Sequence, residues 1–284
     1  MATDSQHTLK RKRLGYELRR LREEREISRN AAAKAIKGDP TKISRMELAR
    51  AYVSPHDLEA LCRLYEVPPQ LQFELAQLIV DKRPRHWWRE HDAVMNTHLT
   101  EFVALEDEAA EEREYQPLVI GGLLQTAEYS SVIMATGLLA LGADQIESLS
   151  AVRRGRQRRL FDEPVLRYHG IVTEAALHFE IGGPEVMRAQ LLHVVEMARL
   201  PNVTVQVVPF SAGRQAAHSG GFVTLGFTRP GDPAVAFLEG IGGMISRDSE
   251  REVRRLERLF TSIEAAALSP EDTIALLLER AESQ

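Results

Sequence analysis

Early in the chain, three helix-capping signals mark out a run of short helices, and this pattern limits the folds open to the chain. Ser28 precedes an alanine-rich stretch, Asp39 is followed by Pro40, and Ser54 is followed by Pro55. Serine and aspartate accept hydrogen bonds from the first free amides of a helix, and proline suits its first turn because an N–H there lacks a partner. The predicted helices are Arg29–Ile36, Pro40–Ala49 and Pro55–Tyr65.

A longer helix is predicted before the first cap. Leu14, Leu18 and Leu21 recur with helical spacing, so they form one buried face. The turn Lys37-Gly38 separates the first two capped helices, and we expect Gly38 to have a positive φ because it lacks a Cβ. A two-turn helix, a tight turn and a second helix are typical of a helix-turn-helix unit.

Charge is distributed unevenly along the chain. The first 91 residues carry a formal net charge of +6 and the rest carry −11, for a total of −5. A basic segment joined to an acidic one indicates a polyanionic partner at the basic end, and nucleic acid is the first candidate. A solvated charged face is the alternative that charge alone leaves open.

Residues 27–67 resemble the Xre-type helix-turn-helix of phage-repressor-like regulators. The resemblance lies in the core ISRxE and in the tail VSPxxLxALCxLYxV, although the glycine usual after the ISRxE helix is absent from Leu48-Ala49-Arg50. It implies a double-stranded DNA operator as partner. It also implies a buried pair, Arg22 and Glu47, that ties the first helix to the recognition helix.

The recognition helix is expected to enter the major groove, where hydrogen-bonding side chains read base edges. By resemblance, Thr41, Lys42 and Arg45 are base readers, with Ser44 available on the same helix; for Arg45 a surface salt bridge is the alternative. Other cations are expected to hold phosphates, although a solvated arm is the alternative for the basic cluster near the N-terminus. These cations are Arg29 and the cluster Lys10, Arg11, Lys12 and Arg13.

The chain is expected to contain two domains joined by a connector that holds both tryptophans. Trp87 and Trp88 either stack on bases or fill a core. An amphipathic helix over Pro69–Val80 closes the first domain. The predicted organisation is a helix-turn-helix domain over residues 1–80, a basic and aromatic connector over 81–92, and an effector- or partner-binding and dimerisation domain over 93–284.

Residues 115–129 (YQPLVIGGLLQTAEY) resemble the signature YxPxxxPGLLQTxxY of a C-terminal domain of unknown function in actinobacterial Xre-type regulators. Gly121 stands where that family usually has proline. The family is described as antitoxin-like, includes developmental regulators of the WhiJ type, and is often encoded beside a small partner protein. The resemblance covers nearly all of residues 85–281 and implies a ligand or partner site, in which we include Gln125.

The second domain combines strands with helices, so the predicted fold class is α+β: an all-α helix-turn-helix domain followed by a larger α+β domain with a small, mostly antiparallel sheet. The stretch Thr100–Tyr115 is predicted to be a helix with a solvated acidic face or one side of a protein interface. The other predicted elements are strands Val203–Val208, Phe222–Phe227 and Val235–Leu238, and helices Pro184–Arg199, Ser249–Ala267 and Pro270–Ala281.

Further candidate binding residues lie in the second domain. The long, glycine-rich loop Phe210–Gly221 is a usual place for a binding lip, where Arg214 and His218 hold an anionic ligand or a partner's carboxylate, or belong to a polar loop. Glu174 and Glu239 are pocket acids or structural caps. The ligand- or partner-binding set is thus Trp87, Trp88, Gln125, Glu174, Arg214, His218 and Glu239.

The sequence carries no hydrolase, P-loop or dinucleotide motif, so we expect neither an enzyme nor a cofactor, and no metal site. No apolar run is long enough for a membrane helix. We expect a cytoplasmic, sequence-specific transcriptional regulator that forms a homodimer, because one helix-turn-helix covers only a half-site. Its second domain would sense a small protein encoded by a neighbouring gene or a small-molecule effector. The alternative is an antitoxin-like protein that chiefly sequesters a partner and regulates its own operon.

Overall fold

The computed structural model of the chain describes residues 8–79, 87–136, 142–216, 220–228, 232–240 and 243–284. The chain divides into two compact units, Met1–His86 and Trp87–Gln284. Residues 87–92, which were expected in a connector, belong to the second unit, and residues 80–86 lie outside the described residues. None of the described helices is long and apolar enough to cross a membrane.

Local capping determines where the helices of the first unit begin. The side chains of Ser28, Asp39 and Ser54 each accept a hydrogen bond from the backbone N–H three residues later, at 3.1, 2.9 and 3.0 Å. The described helices of this unit are α1 (Thr8–Glu24), α2 (Arg29–Ala35), α3 (Pro40–Glu47), α4 (Pro55–Leu64) and α5 (Pro69–Ala76).

A single hydrophobic core joins these helices. The predicted leucine face of α1 is buried: Leu14, Leu18 and Leu21 are each at most 3% exposed. They share a cluster with Ile43 and Met46, which project inward from α3. Burial of each such side chain contributes about 1.5–3 kcal/mol, so this core fixes the position of α3 in the unit.

The turn between α2 and α3 differs from the sequence expectation. The positive φ belongs to Lys37 (+52°), not to Gly38. The N–H of Gly38 bonds to the carbonyl of Ala33 at 2.9 Å, which closes the end of α2 and places the left-handed residue one position earlier. A second left-handed residue, Ala49 (φ +56°), follows α3, so α3 ends at Glu47 and not at Ala49 as predicted.

The second unit is built around one six-stranded sheet of order β3-β2-β1-β4-β5-β6. The pairs β1–β2 and β2–β3 are parallel, and the other three pairs are antiparallel. The α+β class with a mostly antiparallel sheet is therefore confirmed. The strands are β1 (Glu111–Gln116), β2 (Arg167–Thr173), β3 (Val203–Val208), β4 (Phe222–Gly226), β5 (Val235–Gly240) and β6 (Gly243–Arg247).

Helices cover both faces of this sheet. On one face, Phe260 and Ile263 of α10 pack against Tyr115 of β1 and its strand neighbours. On the other face, Phe102 of α6 contacts Phe237 of β5, with ring centroids 5.0 Å apart. The helices of this unit are α6 (Thr97–Glu108), α7 (Ala127–Ala135), α8 (Ala143–Gln157), α9 (Pro184–Met197), α10 (Glu250–Glu264) and α11 (Pro270–Glu282).

The predicted acidic helix over Thr100–Tyr115 is wrong in its second half. Helix α6 ends at Glu108, and the chain continues as β1 in the middle of the sheet. Glu112 and Glu114 point away from α10 and are buried, at 0% and 4% exposed. The cause is tertiary, because β1 pairs with β2 on one side and β4 on the other. Of the carboxylates in this stretch, Glu108 is exposed, whereas Glu106, Glu112 and Glu114 are buried and do not form a solvated face.

Candidate functional sites

Helix α3 presents a polar surface opposite its buried residues. Ile43 and Met46 are 1% exposed, whereas Thr41 and Arg45, one helical turn apart, are both exposed. Ser44 is half-buried between the two sides. Two of the predicted base readers, Thr41 and Arg45, thus lie on the accessible side of a helix that the core holds in place.

Two candidate cations beside this surface already have carboxylate partners. Lys42 Nζ lies 3.0 Å from Asp57 Oδ2, and Arg29 Nε lies 3.3 Å from Glu47 Oε2. The lysine and arginine side chains remain 39% and 46% exposed, so a phosphate can approach either cation. A base contact by Lys42 would require it to exchange its partner in α4.

The buried pair implied by the family resemblance is present. Arg22 Nε donates to Glu47 Oε1 at 2.5 Å, and Arg22 Nη2 donates to Glu47 Oε2 at 3.1 Å. These hydrogen bonds raise the pKa of Arg22 despite the opposing effect of burial. The pair connects α1 to the last residue of α3, so it fixes the orientation of the helix that carries Thr41 and Arg45.

The basic cluster near the N-terminus lies in a helix and not in a disordered arm. Lys10, Arg11, Lys12 and Arg13 all lie in α1, which begins at Thr8. Lys10 is exposed and Lys12 is buried, because the helix turns successive side chains to different sides. Of the cluster, Lys10 is therefore the residue best placed to reach a phosphate.

The two tryptophans lie in a short 3₁₀ helix, Trp87–His91, of the second unit. Trp88 is 1% exposed and packs among side chains of α6 and α8. Trp87 contacts the Trp88 ring edge-on and donates its indole N–H to Asp107 at 3.1 Å. Of the two alternatives, core filling fits these positions, and Trp88 has no surface to offer a ligand or partner.

The signature segment of the second unit is held by a set of amide and hydroxyl side chains. Gln125 Nε2 donates to the carbonyl of Ile120 at 2.6 Å, and the Tyr129 hydroxyl accepts from the N–H of Ile120 at 3.1 Å. Gln190 bonds both the N–H of Thr126 and the carbonyl of Leu124, each at 2.7 Å. These hydrogen bonds hold the backbone of residues 122–126 (GLLQT) in place beside α8.

A pocket of about 200 Å³ lies where this segment and α7 meet α8 and His193 of α9. Polar residues in its lining include Gln125, Ser130, Ser150, Arg153 and Gln157. Arg153 Nη1 donates to Gln125 Oε1, so the predicted residue Gln125 orients the arginine of the pocket. Sequence reasoning missed Arg153, because its role depends on the packing of α8.

Comparison with known families identifies the second unit. Residues 99–279, more than half of the chain, match the domain of unknown function DUF5753. The chain belongs to the DUF5753 family. Residues 13–75 match a helix-turn-helix domain, so this DUF5753 protein is a helix-turn-helix DNA-binding regulator with a C-terminal domain of unknown function. No curated protein and no solved structure matched the chain.

Among the described residues, the predicted site residues Glu174, Arg214 and Glu239 do not line the pocket. Glu174 Oε2 accepts from the N–H of Phe210 at 2.8 Å, and Glu239 Oε2 accepts from Gln116 Nε2 at 2.7 Å, so both acids have structural partners. Arg214 is exposed. His218 lies outside the described residues. Within the described ranges, no three His, Cys, Asp or Glu side chains are grouped so that they could hold a metal ion.

The DUF5753 domain also buries a cluster of charges that sequence reasoning missed. Glu106 accepts two hydrogen bonds from Arg156, both at 2.7 Å, and Glu114 accepts from the Tyr168 hydroxyl at 2.5 Å. Both oxygens of Glu112 are buried without a donor. Burial and the neighbouring carboxylates raise the pKa of Glu112 well above its ordinary value. The folded domain therefore favours a protonated Glu112.

Proposed function

We propose that the protein is a sequence-specific transcriptional regulator that binds a double-stranded operator through α3. One observation carries this proposal: Thr41 and Arg45 are exposed on a helix whose opposite side is anchored in the core. A recognition helix needs this combination, because base readout requires side chains held in a fixed position within the groove.

Arg45 is the proposed main base reader. An exposed guanidinium on a recognition helix can bond the O6 and N7 atoms of guanine together, a contact worth about 1–3 kcal/mol of discrimination. Thr41 and Ser44 would assist at neighbouring bases. Arg29, Lys42 and Lys10 would hold phosphates, with the first two already oriented by Glu47 and Asp57.

We further propose that the protein binds its operator as a homodimer and that the DUF5753 domain senses an effector. One helix-turn-helix covers a half-site, so a second copy adds affinity and specificity. The polar pocket beside Arg153 favours a small-molecule effector. Of the acidic stretch that favoured a protein partner, Glu106, Glu112 and Glu114 are buried, so this stretch gives only weak support to the antitoxin-like alternative.

Selection of operator sequences from a random double-stranded pool, followed by affinity measurements, tests the DNA-binding proposal. We expect Arg45→Ala to weaken binding to the selected operator by roughly 5- to 150-fold, with unchanged thermal melting. Arg63→Ala is the matched control, because it removes an exposed arginine from α4. Failure to enrich any sequence, or an Arg45→Ala variant that binds as tightly as wild type, would contradict the proposal.

A further inference from the structure

We propose that the pocket beside Arg153 binds a small oxyanion, of the phosphate or carboxylate class, through the Arg153 guanidinium. The inference gives a chemical class to the effector in the proposed function and rests on that function only for its regulatory consequence.

Two arginines of α8, Arg153 and Arg156, lie one turn apart and differ in their hydrogen-bond partners. Arg156 is neutralised by Glu106, which accepts two hydrogen bonds from it at 2.7 Å. Arg153 forms no ion pair with any carboxylate of the described part of the chain. Its Nε is buried without a hydrogen-bond acceptor, and its Nη1 bonds only the neutral amide oxygen of Gln125. The pocket therefore contains a cation that no carboxylate of the described residues contacts directly, although Glu114, Glu239 and Glu106 act on it through space and partly offset the effect of burial.

The electrostatic setting of Arg153 points the same way. Burial, followed by repulsion from Arg156, lowers the pKa of Arg153 to about 10. A charge removed from water is unfavourable unless an opposite charge or good acceptors replace the water. A bound oxyanion would supply both, because arginine donates two parallel hydrogen bonds to two oxygens of a carboxylate or phosphate.

The walls of the pocket offer further donors to such a ligand. The hydroxyls of Ser130 and Ser150 point to the sulfur of Met134, at 4.0 and 3.7 Å. A thioether is a weak acceptor, so either hydroxyl can turn to a bound anion at little cost. Arg154 lies exposed at the rim. This collection of donors around one cation is the chemistry of an anion site.

The size of the pocket restricts the ligand to small anions. The pocket measures about 200 Å³. Pockets for drug-sized ligands measure roughly 300–1,000 Å³. Inorganic phosphate or a short carboxylate fits this space, whereas a nucleotide does not.

Thermal melting of the full-length protein, monitored by tryptophan fluorescence, tests the proposal without DNA. Inorganic phosphate and succinate are titrated separately at constant ionic strength, with sodium chloride as the reference salt. We expect a saturable rise of several degrees in Tm with at least one of the two anions, because a ligand that binds only the folded state stabilises it. The anion that acts identifies the source of the oxyanion.

Variants separate the site from general salt effects. Arg153→Gln is expected to abolish the rise, whereas Arg188→Gln, which removes an exposed arginine from α9, is expected to retain it. Should Arg153→Gln fail to fold, Ser130→Ala is expected to raise the half-saturating anion concentration several-fold. No saturable rise with either anion, or an equal rise in wild type and the pocket variants, would overturn the proposal. Loss of operator binding by Arg45→Ala is measured separately, so failure of one proposal leaves the other testable.

Discussion

At the scale of single residues, Glu47 joins the core of the first unit to its proposed DNA surface. It accepts hydrogen bonds from the buried Arg22 and from the half-exposed Arg29. We expect Arg22→Ala to destabilise this unit by about 3–5 kcal/mol, because it leaves a buried carboxylate with one solvent-exposed partner. Urea denaturation monitored by circular dichroism measures this change in the free energy of unfolding. Arg19→Ala, which breaks an exposed pair with Glu23, is the control and should cost less than about 1 kcal/mol.

Glu112 gives a second prediction at this scale, on the pH dependence of stability. The pKa of Glu112 is raised in the folded protein above its ordinary value of 4.5. The wild type therefore loses stability as the pH rises from 4.5 through the raised pKa, since the unfolded state releases this proton first. Glu112→Gln is neutral throughout, so its Tm relative to wild type should rise with pH over this range. A Tm difference that is independent of pH, as expected for the exposed control Glu180→Gln, would contradict the protonated state.

At the scale of elements, the close approach of α1 to α3 depends on Gly15. A Cβ at this position would lie 2.7 Å from the carbonyl oxygen of Met46 and 2.8 Å from that of Glu47. In an exposed helix, alanine is more stabilising than glycine by about 1 kcal/mol. Here we expect the clash with the α3 backbone to outweigh this gain. We expect Gly15→Ala to lower the Tm and to weaken operator binding, since α3 must shift. The control Glu24→Ala, on the exposed side of α1, should change neither the Tm nor operator binding. A Gly15→Ala variant with wild-type Tm and operator affinity would contradict the prediction and show that α3 can shift without loss.

The elements of this protein differ in how far local sequence determines them. The caps at Ser28, Asp39 and Ser54 act within one turn, so the helices of the first unit could be predicted. Strand β3 could be predicted as well, because its valines alternate with Thr204 and Gln206. Strand β1 (EEREYQ) could not, because the groups that accommodate its carboxylates, such as Tyr168, lie more than 50 residues away. Strands β2 and β6 were also missed.

At the scale of the whole molecule, charge and family membership divide the chain in the same way. The basic end contains the helix-turn-helix match, and the acidic remainder contains the DUF5753 match. The proposed DNA surface could be predicted from sequence, because spacing and caps define it. The pocket could be predicted only at Gln125, since the position of Arg153 depends on how α8 packs against the signature segment.

A prediction at this scale concerns separate responses of the two units to heat. In Arg22→Ala, the loss of helical circular dichroism from the first unit should move to lower temperature, while the transition of the second unit stays in place. The substitution lies in the core of the first unit, so the second keeps its own contacts. A thermal scan that records circular dichroism and tryptophan fluorescence on one sample checks this, because both tryptophans lie in the second unit. Equal shifts in both signals would mean that the units unfold together.

The position of the two tryptophans gives the molecule a built-in spectroscopic label. Both lie in the second unit, and Trp88 is buried there, so the first unit contributes no indole emission. Emission excited at the red edge of indole absorption therefore reports on the second unit alone. Far-ultraviolet ellipticity reports on both units. An effector could thus be screened by light emitted from one half of the chain while the other half is bound to DNA, without any added dye.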